Sequence, residues 1–200
     1  MAGGTAYGVI LNDRAERDRM SAAFARQPYA RPPEAPVLYI KPRNTLQRSG
    51  GTVAVPGAVV VGSTLALAFG PERGVPIAAA LAIDLFEPHE SYYRPAIRER
   101  CRDGFLPLGA FVDWSEAMAE QEVVTMINGV EAHRWSLSRL ARDPRLLARE
   151  VDGFMTLADG DILLVGLPGD AARAEAGQTI EVTAAGFPRL TVRLIAEDAA

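Results

Sequence analysis

The stretch EVVTMINGVEAHRWS (Glu122–Ser136) places an Asn-Gly pair between two runs that are rich in β-branched and apolar residues. Asn128 and Gly129 suit the tight turns of two-residue hairpins, because both tolerate a positive φ at low cost. The stretch therefore predicts two antiparallel strands joined at this pair. It sets the expectation of a β-rich chain, and the segments on either side agree with it.

Several other segments favour strands. They are VLYIK (residues 37–41), AVVVGSTLALAFG (58–70, a strand or strand pair), GDILLVGLPG (160–169) and GQTIEVTAAGFPRLTVRLI (177–195), the last divided into a hairpin by AGFPRL. PIAAALAIDLF (76–86) is a mostly buried segment whose type the pattern leaves open. Strands therefore account for most of the predicted elements.

Helical signals are few and short. Residues 12–27 predict a helix with Asn12 or Asp13 as its N-cap, a second short helix begins near Pro95 and ends at Gly104, and residues 136–155 are helical with an interruption at Pro144. Strands and helices do not alternate as βαβ units. We therefore expect an α+β fold, a β-rich mixed sandwich or roll with a few short helices.

Length and composition limit the class of protein. Two hundred residues suit one domain (1–200), in which residues 1–50 supply an N-terminal helix, a proline-rich turn and a strand, and residues 51–200 form the main β-rich core. The net charge of −4 argues against nucleic-acid binding, and no apolar run is long enough to cross a membrane. Cys101 is the single cysteine and no basic leader precedes an apolar run, so we expect a cytoplasmic protein.

Lys41 is the only lysine in the chain, whose other permanently cationic side chains are arginines. A lysine ammonium is a compact, titratable charge that a guanidinium does not replace. Lys41 also lies at the end of a predicted strand, where side chains often project into pockets. We therefore predict that Lys41 belongs to a functional site.

The order of six segments resembles the fumarylacetoacetate hydrolase family. The segments are YGVILNDR, APVLYIKPRNTL, SYYRPAIRERCRDGFLPLG, MINGVEAHRWS, GDILLVGLPG and AGFPRL, and they cover almost the whole chain. Within the family, YYRPAI followed by CRDGF is most similar to two-halved enzymes that isomerise and decarboxylate C7 oxo- and hydroxydiene dicarboxylates in aromatic catabolism. The chain resembles the N-terminal half of such an enzyme, standing as a separate subunit.

The resemblance implies a site for a small dicarboxylic oxo-acid and a Mg²⁺ or Mn²⁺ ion. A hard cation that clamps a 2-oxo carboxylate stabilises the charge of an enolate. By resemblance, Lys41 and Asp84 are the expected catalytic residues, with Asp84 also a metal ligand. The expected substrate-binding residues are Tyr93, Arg94, Arg102 and Asp103, of which Arg102 and Asp103 could equally serve to fix their own segment.

The sequence departs from the family pattern at several functional positions. Gly62 and Thr64 stand where the family has two metal-binding glutamates. The closest matches to a histidine and glutamate pair of the family are Glu16 and Arg19, and a Gly-Thr-Pro turn reads Gly166, Leu167, Pro168. A rebuilt metal site from Asp84, Glu87 and His89 is a further possibility, although a solvated histidine is the more common outcome, and we expect His133 to be structural.

Three hypotheses follow. The chain is a metal-dependent catalytic subunit; or it is a non-catalytic partner, in a heteromer with a metal-binding paralogue; or it is a metal-free tautomerase that uses Lys41 and Asp84 as acid and base. A homodimer is the other expected assembly. The losses at Gly62 and Thr64 favour the second hypothesis for the chain taken alone.

Overall fold

A computed structural model describes residues 4–89, 92 and 94–197 of the chain. The strands are β1 (Ala6–Ile10), β2 (Val37–Lys41), β3 (Leu46–Arg48), β4 (Thr52–Val55), β5 (Val59–Phe69), β6 (Pro76–Phe86), β7 (Leu106–Leu108), β8 (Val112–Asp113), β9 (Glu122–Ile127), β10 (Val130–Ser136), β11 (Ile162–Leu164), β12 (Arg173–Ala174), β13 (Thr179–Thr183) and β14 (Leu190–Ala196). The α-helices are α1 (Arg14–Arg19), α2 (Ser21–Phe24), α3 (Ile97–Arg100) and α4 (Pro144–Asp152), and 3₁₀ turns span Arg43–Thr45, Glu116–Glu120 and Leu137–Arg139.

Two mixed sheets make up the fold, and the expected α+β class is confirmed. In the described part of the chain, one sheet has nine strands with the main order β2-β1-β11-β5-β6-β7-β3, and the other has five in the order β10-β9-β13-β14-β4. The three strands of the first 50 residues, β1, β2 and β3, all belong to the nine-stranded sheet, whereas β4, which follows them, belongs to the five-stranded sheet. The N-terminal segment is thus integrated into the sheet that carries the site.

β5 and β6 form the centre of the larger sheet. They are eleven residues each, pair in antiparallel fashion along almost their whole length, and are buried almost continuously. Near-continuous burial means that both faces of this pair are covered, so their apolar runs do not alternate with polar residues. The uncertain segment PIAAALAIDLF is therefore a strand, and the segment 58–70 contains one strand and not two.

Side chains on the two faces of β5 point to different surroundings. Ser63 faces the second sheet, where its hydroxyl accepts from Thr125 Oγ1 at 2.7 Å and its carbonyl accepts from Trp135 Nε1 at 3.0 Å. Its neighbours Gly62 and Thr64 lie on the opposite face, because successive residues of a strand alternate. That opposite face is the one Asp84 shares, since Gly62 is its direct partner on β5.

The local structure agrees with the two predicted hairpins but differs from two of the predicted helices. The hairpin at Asn128 and Gly129 is confirmed, with φ values of 51° and 79°, and β13 pairs with β14 around the AGFPRL turn. Two helix predictions need correction. The helix expected to end at Gly104 spans only Ile97–Arg100, and Pro144 does not interrupt a helix but begins α4, whose N-cap is Asp143. Proline suits the first helical position, where its missing N–H is not needed.

The first predicted helix is also shorter than expected. In place of one helix over residues 12–27, α1 and α2 are separate short helices, and Asp13 is the N-cap that accepts from Ala15 N. Within the described residues, no helix is both long and apolar enough to cross a bilayer.

Candidate functional site

Asp84 on β6 is the centre of a buried cluster of charged side chains. Its side chain is fully buried and both carboxylate oxygens have partners. Oδ1 accepts from Lys41 Nζ at 2.7 Å, whereas Oδ2 accepts from Arg100 Nη1 at 2.9 Å and from the hydroxyl of Tyr39. The carboxylate is therefore fully engaged by groups of this chain.

Lys41, the last residue of β2, is equally buried. Its ammonium lies 2.7 Å from Asp84 Oδ1, 2.5 Å from the carbonyl oxygen of Arg100 and 3.4 Å from that of Leu85. Burial lowers the pKa of Lys41, and the neighbouring Asp84 carboxylate opposes that shift. Three acceptors match the three N–H donors of a protonated ammonium, so Lys41 is held in its charged form with each donor used.

Arg100, at the end of α3, is the second buried cation. Its guanidinium lies over the ring of Phe86, 3.9 Å from the centroid, and 4.8 Å from that of Tyr39. Burial is the largest single influence and acts to lower the pKa of Arg100, but Asp84, with smaller contributions from Tyr39, Tyr92 and Glu16, raises it, and the net shift is upward. Nη1 binds Asp84, whereas Nη2 is buried and has no hydrogen-bond acceptor among the described residues.

Tyr39 reaches the cluster across the adjacent strand β1. Its Cα partner there is Gly8, where an added Cβ would lie 2.1 Å from the tyrosine ring. Only a glycine lets the ring lie flat against β1 with its hydroxyl at Asp84. Burial raises the pKa of Tyr39 well above its ordinary value, and the Asp84 carboxylate adds to that rise. Tyr39 therefore stays neutral and donates its proton.

The residues around Asp84 do not fit a divalent metal ion. Its cross-strand partner Gly62 has no side chain, and a Cβ there would lie 2.9 Å from Leu167 Cδ2 and 3.0 Å from the carbonyl oxygen of Asp84. Thr64, buried on the same face, has a hydroxyl without a hydrogen-bond partner among the described residues. Hard cations need several oxygen ligands, preferably carboxylates. Across the described ranges, no three His, Cys, Asp or Glu side chains are grouped so as to hold a metal.

A cavity of about 350 Å³ adjoins the cluster. Residues of β2 form one wall, and the segment that leads into α3 forms the other. Arg100 lines the cavity as a buried residue and Arg94 lines it as an exposed one, and His89 and Tyr92, which precede both in the chain, also line it. The cavity is therefore lined by two arginines and a largely apolar wall.

Glu16 lies beside a second, smaller cavity of about 150 Å³. Its Oε1 accepts from the hydroxyl of Tyr92 at 2.7 Å. Burial raises the pKa of Glu16 above its ordinary value, whereas the hydrogen bond from Tyr92 acts in the opposite direction. Tyr92 lines both cavities and thus lies between Glu16 and the space next to Arg100.

The structure brings together three of the residues that the sequence singled out. Lys41 and Asp84 are in direct contact, and Arg94 lines the adjoining cavity. Tyr93 lies outside the described residues. Among the described residues, no further carboxylate or histidine is grouped with Asp84 to support a metal-ligand role.

Arg102 and Asp103 lie apart from the cavity. Arg102 Nε donates to Glu87 Oε1 at 2.6 Å and its Nη1 contacts Glu197 at 3.1 Å, whereas Asp103 accepts from Asn44 Nδ2 at 2.7 Å. These contacts join the α3 segment to neighbouring parts of the fold. They match the alternative in which Arg102 and Asp103 fix their own segment and do not bind substrate. Neither residue lines the cavity.

The two histidines of the chain lie in different surroundings. The alternative metal site at Asp84, Glu87 and His89 does not form: Glu87 pairs with Arg102, and the ring of His89 packs 5.4 Å from that of Tyr92. His133 lies on β10 with Nε2 3.2 Å from Asp170 Oδ1, and it does not line the cavity.

Arg100 and Tyr39 are the site residues that sequence reasoning missed. Tyr39 lies two positions before Lys41 on the same strand face, so strand periodicity offered a signal for it. Arg100 is one of several arginines in residues 94–102, and nothing local distinguishes it from its exposed neighbour Arg98. Its burial depends on the packing of α3 against β6.

The chain belongs to the fumarylacetoacetate hydrolase family: the family model "Fumarylacetoacetate (FAA) hydrolase C-terminal" matches residues 73–195. It is 37% identical over 206 residues to the 4-hydroxyphenylacetate degradation bifunctional isomerase/decarboxylase of Salmonella dublin, with 98% of this chain and 48% of the relative covered. The chain thus spans about half the length of the curated relatives it matches.

Solved structures share the fold. The 5-carboxymethyl-2-hydroxymuconate delta-isomerase of Mycobacterium smegmatis superposes with a TM-score of 0.80 at 23% identity, covering 98% of this chain and 80% of that one. Fumarylpyruvate hydrolase of Pseudomonas aeruginosa, solved with Mn²⁺ and pyruvate, gives 0.77 at 18% identity, covering 96% and 90%. That relative holds a metal ion, whereas the described residues around Asp84 of this chain do not suit one.

Proposed function

We propose that the chain is a subunit of an isomerase/decarboxylase of 4-hydroxyphenylacetate catabolism. The substrate class is C7 oxo- and hydroxydiene dicarboxylates, and the reactions are of the 5-oxopent-3-ene-1,2,5-tricarboxylate decarboxylase and 2-hydroxyhepta-2,4-diene-1,7-dioate isomerase types. Support comes from the 37% identity that extends over nearly the whole chain and from a cavity with two arginines beside apolar walls.

Within that assembly, the metal-dependent chemistry belongs to a second, metal-binding chain of the same fold, and this chain is its partner. One observation carries the assignment: Asp84 is committed to Lys41 and Arg100, and its neighbours across β5 are Gly62 and Thr64. A metal ion at Asp84 would have to displace two buried cations while gaining no further carboxylate, which hard cations do not favour.

Lys41 and Asp84 then serve to position other groups. They are fully buried and paired with each other, so neither is free to exchange a proton with a molecule in the cavity. Their contacts fix the end of α3, because Lys41 binds the Arg100 carbonyl and Asp84 binds the Arg100 guanidinium. The side chains that can meet a small dicarboxylate are Arg94 and Arg100.

The test combines titration with reconstitution. Calorimetry of the purified chain with Mn²⁺, with and without 2-oxoglutarate, is expected to show no micromolar binding. Adding this chain to a metal-loaded paralogue is expected to raise decarboxylase activity or heat stability of the paralogue, and co-elution on size exclusion measures the heteromer. Micromolar Mn²⁺ binding that Asp84→Ala removes would contradict the assignment.

Metal-free tautomerisation is the second candidate, and Glu16 is the observation that favours it. A buried carboxyl whose pKa is raised suits proton exchange near neutral pH. In a 2-hydroxydiene to 2-oxo-ene shift, Glu16 would give a proton to carbon and recover one from the enol hydroxyl, so no proton is gained or lost. The sequence suggests Lys41 and Asp84 as the acid and base of this reaction. Their side chains are buried and paired with each other, so they do not exchange protons with a substrate in this proposal.

The second candidate has its own assay. The purified chain in excess EDTA would consume 2-hydroxyhepta-2,4-diene-1,7-dioate, followed by its ultraviolet absorbance. Glu16→Gln should lower the rate by at least about 100-fold, whereas the exposed Glu72→Gln should not change it. Equal rates for wild type and Glu16→Gln would dismiss Glu16 as the proton carrier.

A further inference from the structure

The buried cluster carries more positive than negative charge. Lys41 and Arg100 are both cationic, Asp84 supplies one negative charge, and Tyr39 is neutral. The side chains of Asp84 and Lys41 are 0% exposed and that of Arg100 is 5% exposed. An unbalanced charge in such surroundings is costly unless an ion of opposite sign accompanies it.

No acid of the described residues supplies the missing negative charge by direct contact. Glu16 is the other acidic side chain whose charge acts on Arg100, but its hydrogen bond goes to Tyr92. Glu87, a half-buried acid near α3, pairs with Arg102. An anion from outside the described part of the chain would complete the charge balance by direct contact.

The geometry indicates where an anion would bind. Arg100 Nη2 is buried without an acceptor, although Nη1 of the same guanidinium is paired, and Arg100 lines the 350 Å³ cavity. Buried N–H groups in proteins nearly always have a partner, so an unpaired one beside a cavity marks a place for a ligand oxygen. Arg94 lines the same cavity from an exposed position, as a second cation for a second anionic group.

We propose that Arg100 replaces the metal ion as the counter-charge of Asp84 and, through Nη2, forms a metal-free binding site for one carboxylate of a dicarboxylate whose other carboxylate pairs with Arg94. The cavity wall between them includes Leu38, Ile40 and Pro95, which suit the hydrocarbon chain of such a molecule. A guanidinium matches a carboxylate in shape and charge better than an ammonium does.

The site itself rests on the charge balance and the cavity, and only the pathway origin of its ligand rests on the proposed function. Pimelate, a saturated C7 dicarboxylate, is therefore a suitable probe, and heptanoate is its match with one carboxylate removed. Calorimetric titrations of the full chain in excess EDTA measure both affinities. Pimelate should bind at least about tenfold more tightly than heptanoate, the increment expected for one additional charge-assisted contact.

Three variants locate the site. Arg94→Ala should weaken pimelate about tenfold and leave heptanoate unchanged, whereas Arg100→Gln should abolish binding of both. Arg98→Ala is the matched control, because Arg98 is an exposed arginine of α3 outside the cavity lining, and it should change neither affinity. Far-ultraviolet circular dichroism and urea titration show which variants remain folded, and Arg94, being exposed, keeps the test valid if Arg100→Gln does not fold.

Specific results would overturn the proposal. Failure of wild-type protein to bind pimelate in EDTA would do so, as would equal affinities for pimelate and heptanoate, or an effect of Arg98→Ala equal to that of Arg94→Ala. Failure of the proposed function looks different: the chain would bind pimelate but neither associate with nor activate a metal-loaded paralogue.

Discussion

Two buried aspartates of this molecule, Asp13 and Asp84, have opposite relations to their surroundings. Asp13 accepts from Arg139 Nη2 at 2.5 Å and Nε at 3.1 Å, and from the backbone N–H groups of Ala15 and Gly169. Arg139 uses its remaining donors on Asp170. Both carboxylate oxygens of Asp13 and all three nitrogens of the Arg139 guanidinium have partners, and Arg139 and Asp170 are partly exposed to water.

Asp84, in contrast, has two buried cations for one carboxylate, and one of those cations keeps an unpaired N–H beside a cavity. The difference teaches how a structural ion pair can be told from a binding site. The Asp13 carboxylate has its hydrogen bonds and its counter-charge within the chain, and its contact with Gly169 N holds α1 against the turn at Gly169. The Asp84 cluster is complete only when an anion joins it.

Neutralising each aspartate should give the largest effect and test the comparison directly. Asp84→Asn leaves Lys41 and Arg100 buried without a counter-charge and should lower the free energy of unfolding by about 3–5 kcal/mol. Asp13→Asn should cost about 1–3 kcal/mol, because Arg139 can turn to Asp170 and water. Urea unfolding measures both values. Equal losses would mean that the two clusters do not differ in charge balance.

Substitutions of Lys41 should give the second-largest change in the free energy of unfolding. Lys41→Arg places a larger, planar group where an ammonium meets three acceptors in a fully buried position, and should cost about 1–3 kcal/mol. Lys41→Met is the informative companion, because it removes one excess charge and leaves Arg100 to balance Asp84. It should therefore cost less than Asp84→Asn in the same urea titration. If Lys41→Met proved the more costly of the two, the excess positive charge would be ruled out as a source of instability.

The same contrast between matched and unmatched groups exists among neutral side chains. Thr64 has a buried hydroxyl without a partner, whereas the hydroxyl of Thr125 donates to Ser63 at 2.7 Å. Thr64→Val should raise the free energy of unfolding by about 1 kcal/mol, and Thr125→Val should lower it by about 1 kcal/mol. Opposite signs for two chemically identical substitutions are the expected outcome; a loss for both would show that the Thr64 hydroxyl has a partner in solution.

The smallest effect concerns pH and Glu16. Its pKa is higher in the folded chain than in the unfolded one because of burial, so the folded state holds the proton more firmly. The associated stability is present below the unfolded pKa and is lost as pH rises through the folded pKa. The stability of wild type relative to Glu16→Gln should therefore fall from pH 4 to neutral pH in urea titrations. Glu72→Gln, at an exposed position, is the control substitution in the same titrations. If the stability of wild type relative to Glu16→Gln rose over this pH range, the pKa of Glu16 would be lowered by folding and not raised.

Much of the fold is predictable from the sequence because its signals are local. Asn128 and Gly129 fix a hairpin by their tolerance of positive φ, and the long apolar run around β5 indicates a buried strand. Helix limits are less predictable. A proline such as Pro144 is compatible with both the start and the interruption of a helix, and Asp143, which caps α4, decides between them only through its contact with Leu146 N.

The site is predictable only in part. Lys41 is conspicuous as the single lysine, and Asp84 follows from the register of the family resemblance. Arg100 is not conspicuous, because Arg94, Arg98 and Arg100 look alike in sequence and only the packing of α3 buries one of them. An excess of buried charge is a property of the assembled site, and no spacing along the chain reveals it.

The contact between Gly62 and Leu167 bears on the history of the chain. A side chain added at Gly62 meets Leu167, and a carboxylate there would also find Asp84 already held by Arg100. Restoring a metal centre therefore requires changes on β5, in the turn at Leu167 and in α3 together, and each change alone harms a well-packed region. Mutation one residue at a time thus meets a barrier in that direction, and a metal centre at Asp84 is reached only by coordinated substitutions.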